Sequence, residues 1–386
     1  MRKLVSVLSA CDQKHVITHK PEAQITKRDL SQTDLLFLIR PTSICALELA
    51  KAARRSGIFL CVMYDDDLIN IPRGPFYEHF HWRRNYAKRT LAISDFLLSP
   101  NHLLLAEYKA YMKKPRALVL QPCVTGIEER FAPVSSEKTP LKVIYAAGAD
   151  HSPYFNRIIG PAMKPLFEKY PGKFAFTFLG VKPDPSLFPA DASVERLPMM
   201  PFRDFISVLK NGSFDIGLAP LEETPFSNRK GIIKYIDYSM SGALGIFSDC
   251  LPYTSVIRSG ENGLLVKNTP EEWLKALSFC EENPQELKRM AKAAQNDLLQ
   301  NYLPDRLVES LKKEVPEFFS FTRHTGKVHF FKNPLSHCLF AFRHMWNQKF
   351  LTSKTIWPLT EKARNLSERF KERGFFSAMK YYLKRR

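Results

Sequence analysis

The chain of 386 residues reads as an α/β protein: two doubly wound domains facing a cleft, followed by a basic helical tail. Three observations predict this. Short continuous apolar runs alternate with segments of helical periodicity, as a parallel sheet covered on both faces requires. The alternation halts at a polar stretch with two prolines, FAPVSSEKTP (131–140), and then starts again. Charge is lopsided: of a net +18, residues 321–386 supply +12, with 15 Lys/Arg against 3 Asp/Glu. Expected boundaries are 1–135, 136–320 and 321–386, in keeping with about 150 residues per domain.

In order, KLVSVLSA (3–10), DLLFLIR (34–40) and GIFLCVMY (57–64) read as strands, with a helix over 43–55 between the second and third. A helix over 82–95, a strand in SDFLLSP (94–100) and a short strand over 118–121 complete the first domain. In the second, LKVIYAAG (141–148), FAFTFLG (174–180), FDIGLAPL (214–221), GALGIFSD (242–249) and GLLVK (263–267) read as strands. Helices fit at 153–169, 201–210, 231–241, 270–282, 284–300 and 304–314. The 270–282 helix is punctuated by Thr269 as N-cap, Pro270 at the first position and Glu272 closing a capping box.

Composition excludes several classes. With 45% hydrophobic and 25% charged residues the chain is ordinary globular material. Seven cysteines with no C-x-x-C argue against a disulfide framework or a structural zinc site, and for reduced thiols in a cytoplasmic protein. His79 and His81 alternate rather than follow ligand spacing, Ser248 and Cys123 lack nucleophile-elbow context, and no G-x-G-x-x-G follows a strand. The apolar run after Arg2 and Lys3 is too short for a signal peptide and reads as a strand. No stretch approaches the roughly 18 apolar residues of a bilayer span.

The densest polar cluster follows the FDIGLAPL strand. A loop carries Asn228, Arg229 and Lys230, Gly231 opens a helix and Gly242 closes it. Lys230, Lys234 and Asp237, at i, i+4 and i+7, would share one helix face. A helix N-terminus with a lysine beside it suits a diphosphate, and an acid two turns on suits the vicinal hydroxyls of a ribose. The same spacing also fits a solvated face of Lys–Asp pairs.

From Asp215 to Trp273 the sequence resembles the nucleotide-sugar-binding half of the group 1 (family 4) glycosyltransferases of the GT-B fold, built from two Rossmann-like domains. The resembling elements run in order: D-I-G-L-A-P-L, F-S-N-R-K-G-I-I-K-Y-I-D-Y-S-M-S-G, A-L-G-I-F-S-D, E-N-G-L-L-V and P-E-E-W. Lys230, Lys234, Asp237, Tyr238 and Gly242 fall at the family's K-S-x-x-K-x-x-E-Y-x-A-x-G positions. The first half agrees more loosely. The resemblance implies a donor site of Gly148, Asn228, Arg229, Lys230, Gly231, Lys234 and Asp237, with Asp237 on the ribose and Lys230 on the diphosphate. Two departures stand out: the family acid is usually Glu rather than Asp, and a second glutamate eight residues earlier is here Arg229. Either the donor is gripped differently or activity has been lost.

Asp65, Asp66 and Asp67 follow the GIFLCVMY strand, at a carboxyl end facing the expected cleft. Three readings stand: a strand-end turn, a general base or acceptor-hydroxyl binder, or a divalent metal site. Arg40 could reach phosphate or an acidic acceptor, or pair with these aspartates. In 321–386, aromatic residues interleave with Lys and Arg; the pattern fits an anionic membrane surface or helices packed on the body, and no nucleic-acid motif accompanies it.

Together the residues and the resemblance imply a cytoplasmic glycosyltransferase without cofactor or metal, in contact with a membrane face through the tail. It would move a sugar from a nucleotide-diphosphate sugar to a saccharide or lipid-linked acceptor, in cell-surface polysaccharide synthesis. The alternatives are an inactive scaffold of the same fold and a sugar-nucleotide epimerase.

Overall fold

The structure, a computed structural model, describes residues 17–72, 83–124, 140–148 and 151–319. The expected strand at 3–10, the boundary segment 131–140 except Pro140, and the tail 321–386 lie outside these. Among the described residues, 17–20 and 26–319 belong to one compact unit and 21–25 to a second.

The larger unit opens with the helical turn α1 (Lys27–Ser31), closed by a capping box between Thr26 and Asp29. Its first sheet is parallel throughout, in the order β1 (Leu35–Ile39), β2 (Phe59–Met63), β3 (Phe96–Ser99), β4 (Ala117–Val119). These short apolar runs of three to five strand residues are separated by helices, which supply the crossovers that parallel neighbours need. Helix α2 (Ile44–Ser56) starts where the Ser43 hydroxyl accepts from the Ala46 amide. Helix α3 (Arg84–Ile93) packs on it, and α4 (His102–Lys109) follows β3 directly.

The second sheet has six parallel strands: β5 (Leu141–Ala146), β6 (Phe174–Leu179), β7 (Ser193–Leu197), β8 (Ile216–Ala219), β9 (Leu244–Ser248) and β10 (Leu264–Val266), in the order β10-β9-β8-β5-β6-β7. Both faces are buried. Alternate residues of β6 divide between two cores: Phe174, Phe176 and Phe178 join Phe155, Phe167 and Trp273 on one face, while Leu179 joins Tyr235, Tyr238 and Phe247 on the other. The helices on these faces are α5 (Met163–Lys169), α6 (Phe202–Asn211), α7 (Ile233–Ser241), α8 (Pro270–Glu282) and α9 (Pro284–Asn301). α8 begins as expected, with the Thr269 hydroxyl accepting from the Glu272 amide. Gly242 ends α7 at φ 78°, a left-handed position that spares glycine the Cβ penalty.

Three differences from expectation have physical causes. β7 was not anticipated, because SVERL is an exposed edge strand and carries no apolar run. The expected single helix over 153–169 winds as a short α turn, a π segment (Phe155–Ile159) and a 3-10 turn before α5; Pro161, in its interior, lacks the amide a continuous helix needs. Helix α10 (Pro304–Glu314) packs Leu307, Val308 and Leu311 onto Cys61, Phe96 and Leu98 of the first sheet, so the chain returns to that sheet after building the second. Cys45, Cys61, Cys123, Cys250 and Cys280 are buried, and burial pushes the Cys280 thiol up to about 12.

Candidate functional site

The order of the second sheet locates the site. Numbered from β5, its six strands lie as 3-2-1-4-5-6, so the winding reverses between β5 and β8. In such sheets ligands bind in the crevice outside the carboxyl ends of the strands at that reversal. Here β5 runs out to Gly148, and β8 runs out to a loop carrying Asn228, Arg229, Lys230 and Gly231. The floor of that loop is built by Ser248, which donates to Asn268 and accepts from the Leu221 amide at 2.8 Å; this buried serine is structural.

Lys230 is not on the helix face where its spacing placed it. Ser227–Arg229 form a 3-10 turn, and the Thr224 hydroxyl accepts from the Ser227 amide at 3.0 Å. Lys230 is extended at φ −74°, ψ 161°, and α7 begins only at Ile233, so Gly231 does not open the helix. A continuous helix would give the Lys230 carbonyl to the Lys234 amide. Here the Asn101 side chain donates to that carbonyl instead, at 2.8 Å. Lys230 extends its ammonium over the Phe226 ring, 4.9 Å from its centroid and 4.0 Å from Asp66 Oδ1.

Lys234 and Asp237 do share α7. Lys234 donates to the Ala146 carbonyl at the end of β5, tying α7 to the strand that carries Gly148. Burial, helped by the charge of Lys230, pulls the Lys234 ammonium below the usual lysine range, while Asp237 opposes the shift. Asp237 is 4% exposed. Gly180, at φ 75°, stands beside this end of the sheet; a Cβ there would meet the Ala147 carbonyl at 2.4 Å.

The three aspartates part company. Arg40 forks onto Asp65 and reaches Asp66 at 2.9 Å, so these two acids share one cation at the half-exposed rim of β1 and β2. Arg40 holds this position at φ 49°, rare for a residue with a Cβ, while its amide donates to the Met63 carbonyl at 2.8 Å. The two acids raise its pKa against the opposing effect of burial. Asp67 has a fully buried side chain. It accepts from Arg229 at 2.7 Å, from Tyr108 at 3.2 Å and from the Asn70 amide at 3.0 Å. Arg229 also reaches Glu107 at 3.1 Å. Arginine in place of the expected acid therefore joins the loop after β8 to the rim of the first sheet. Among the described residues no three His, Cys, Asp or Glu side chains gather as a metal-ligand set.

Sequence reasoning missed Asn101, Glu107, Tyr108 and Asn70. One signal was available: asparagine between Pro100 and HLLLAEYK is a helix start. Its second task could not be read from local pattern. A groove of about 550 Å³ over the amino-terminal halves of β5 and β6, lined by Lys142, Thr177 and Glu195, lies away from all these residues.

No family model matches the sequence, and no curated protein does. Solved structures do. The chain is similar to the pneumococcal O-GlcNAc transferase GtfA in complex with UDP and GlcNAc, with TM-score 0.54 and 16% identity over 76% of this chain and 59% of that one. It is similar to Anabaena HepE in complex with UDP-glucose, with TM-score 0.54 and 13% identity over 78% and 85%. It is similar to the sucrose-phosphate synthase of Thermosynechococcus elongatus, with TM-score 0.57 and 13% identity over 82% and 92%. The chain spans little more than half the length of GtfA and of TarM, a further likeness at 54% of that protein. With its two parallel sheets and the strand reversal of the second, the chain has the fold of the GT-B glycosyltransferases.

Proposed function

We propose that the protein transfers a sugar from a nucleotide-diphosphate sugar to a hydroxyl of a saccharide or lipid-linked acceptor, in the building of a cell-surface polysaccharide. One observation carries the reading: the strand reversal brings Gly148 and the basic loop 228–231 to one crevice, opposite the acid rim of Asp65 and Asp66. The bound nucleotides in the GtfA and HepE structures support it.

In this reading the donor diphosphate sits at the start of α7. No described side chain caps that helix, so its first amides and the Lys230 ammonium can meet the charge that grows on the leaving diphosphate. Asp237, nearly enclosed, accepts from the ribose hydroxyls in a site where charge-assisted bonds keep about 1.5–3 kcal/mol each. Asp65 and Asp66, steadied by Arg40, orient the acceptor hydroxyl toward the anomeric carbon, which is chiefly a positioning task. No metal is required by this scheme. Residues 321–386 would hold the protein to an anionic membrane, and their deletion should abolish cosedimentation with anionic vesicles. No described helix is long and apolar enough to cross a membrane.

The test is product analysis by mass spectrometry over a panel of nucleotide sugars and oligosaccharide acceptors. Release of nucleoside diphosphate with a glycosylated acceptor supports transfer; an isomerised nucleotide sugar would establish an epimerase instead. A second reading, a binding protein of this fold without activity, is favoured by Arg229, whose guanidinium is already engaged by Asp67 and Glu107. It predicts nucleotide binding with no product.

A further inference from the structure

We infer that Asn101 is a positioning residue for the donor loop: it holds 228–231 in the nucleotide-binding conformation by docking that loop on the first sheet. The inference rests on the donor-site reading above. Asn101 follows β3 and is 6% exposed. Its Oδ1 accepts from the amides of Leu103 and Leu104, at 2.8 and 3.1 Å, and so caps α4. Its Nδ2 donates to the carbonyls of Asn228 and Lys230, both at 2.8 Å. The orientation of the amide is determined by these four contacts, since a flip would set N–H against N–H and oxygen against carbonyl oxygen.

The two carbonyls flank Arg229, the residue that reaches Asp67 and Glu107, and the second belongs to Lys230 itself. One neutral amide thus fixes the backbone on both sides of the ionic clasp. It also takes the carbonyl that would otherwise extend α7 toward its N-terminus, which leaves Lys230 extended and its ammonium at the rim. Pro100 completes the seat: its ring lies 3.6 Å from where a Gly231 Cβ would stand.

The two tasks of Asn101 can be separated. Aspartate caps a helix as well as asparagine does but has no hydrogen to give the loop. Asn101→Asp should leave α4 intact and expel the loop, because a carboxylate would face two carbonyls. Asn101→Ser, also a competent cap, is too short to reach the loop and should release it without repulsion. Hydrogen exchange on the whole protein is the first readout. The expected result for both variants is at least about tenfold faster exchange of amides in 224–236, with 102–109 unchanged; two lost hydrogen bonds account for a factor of this size.

The second readout is binding of UDP, GDP, CDP, ADP and dTDP by calorimetry. The nucleotide that binds the parent chain should bind each variant about tenfold more weakly, with both variants still folded by circular dichroism. Unchanged exchange in the loop overturns the proposal. So does faster exchange confined to 102–109, which would make Asn101 a helix cap alone. Unchanged nucleotide affinity beside a released loop overturns the positioning role. If the parent chain binds no nucleotide, the donor-site reading fails and the positioning role falls with it, while the exchange result still reports whether Asn101 docks the loop.

Discussion

The two rims that meet at the site are opposite in charge and in how their charges are used. The rim of the first sheet is acidic, and its acids are engaged: Asp65 and Asp66 by Arg40, Asp67 by Arg229, Tyr108 and Asn70. The loop of the second sheet is basic, and its cations divide their tasks. Arg229 is committed to the far rim, Lys234 is turned inward to the end of β5, and Lys230 lies half-buried over the Phe226 ring, beside Asp66. One rim is a foundation, and the other leaves Lys230 at the edge of the opposing acids, 4.0 Å from Asp66. The contrast also separates three neighbouring aspartates that look equivalent in sequence, since burial decides which ion pairs matter.

The largest expected effect comes from breaking the foundation. Asp67→Ala leaves Arg229, Tyr108 and the Asn70 amide without their shared acceptor, and should cost about 3 kcal/mol of stability in chemical denaturation. Asp65→Ala, at the exposed pair, should cost under about 1 kcal/mol. Equal costs would erase the distinction between the aspartates.

Next comes Lys230. Lys230→Ala should weaken nucleoside diphosphate binding by about 1.5–3 kcal/mol, the worth of a hydrogen bond to a charged group, and leave the nucleoside unaffected. Calorimetry with both ligands decides, and an equal loss for the nucleoside would remove the phosphate role.

Lys234 sharpens the contrast through pH. Its folded pKa lies below 10.5, so between the folded value and 10.5 the unfolded chain binds more protons. Stability attributable to this group therefore rises with pH across that window. Urea melts at several alkaline pH values should show the rise in the parent chain relative to Lys234→Met; parallel curves would contradict the buried, charged environment of Lys234.

The smallest effect lies far from both rims. Lys20 and the Thr26 capping bonds hold Asp29 at about 2, so its contribution is present above pH 3.8 and fades as pH falls toward 2. Because the pair with Lys20 lies at the surface, where the Asp29 side chain is 28% exposed, Asp29→Ala should cost only a few tenths of a kcal/mol at pH 7.

The fold was legible because a parallel sheet buried on both faces writes each strand as an unbroken apolar run. FAFTFLG and GALGIFSD show this, and the exposed edge strand SVERL shows the failure of the same rule. The site was half legible. Lys230, Lys234 and Asp237 were named from spacing, but a helix face was assumed where a 3-10 turn and an extended residue intervene. Asn101 lies 127 and 129 positions from the carbonyls it holds, and Arg229 lies 162 from Asp67. Contacts at such separations leave no local periodicity to read, so the partners of Arg229 could not be inferred from its own segment.

The central claim is that the loop after β8 binds a nucleotide diphosphate. It is tested most directly by thermal melts of the parent chain with UDP, GDP, dTDP, CDP and ADP, each with and without Mg²⁺. Ligand at 100 times its dissociation constant adds about 2.7 kcal/mol, a shift of several degrees for domains of this size. The account predicts that one nucleotide raises the midpoint by that amount, equally with and without the metal. A flat panel on folded protein would contradict it.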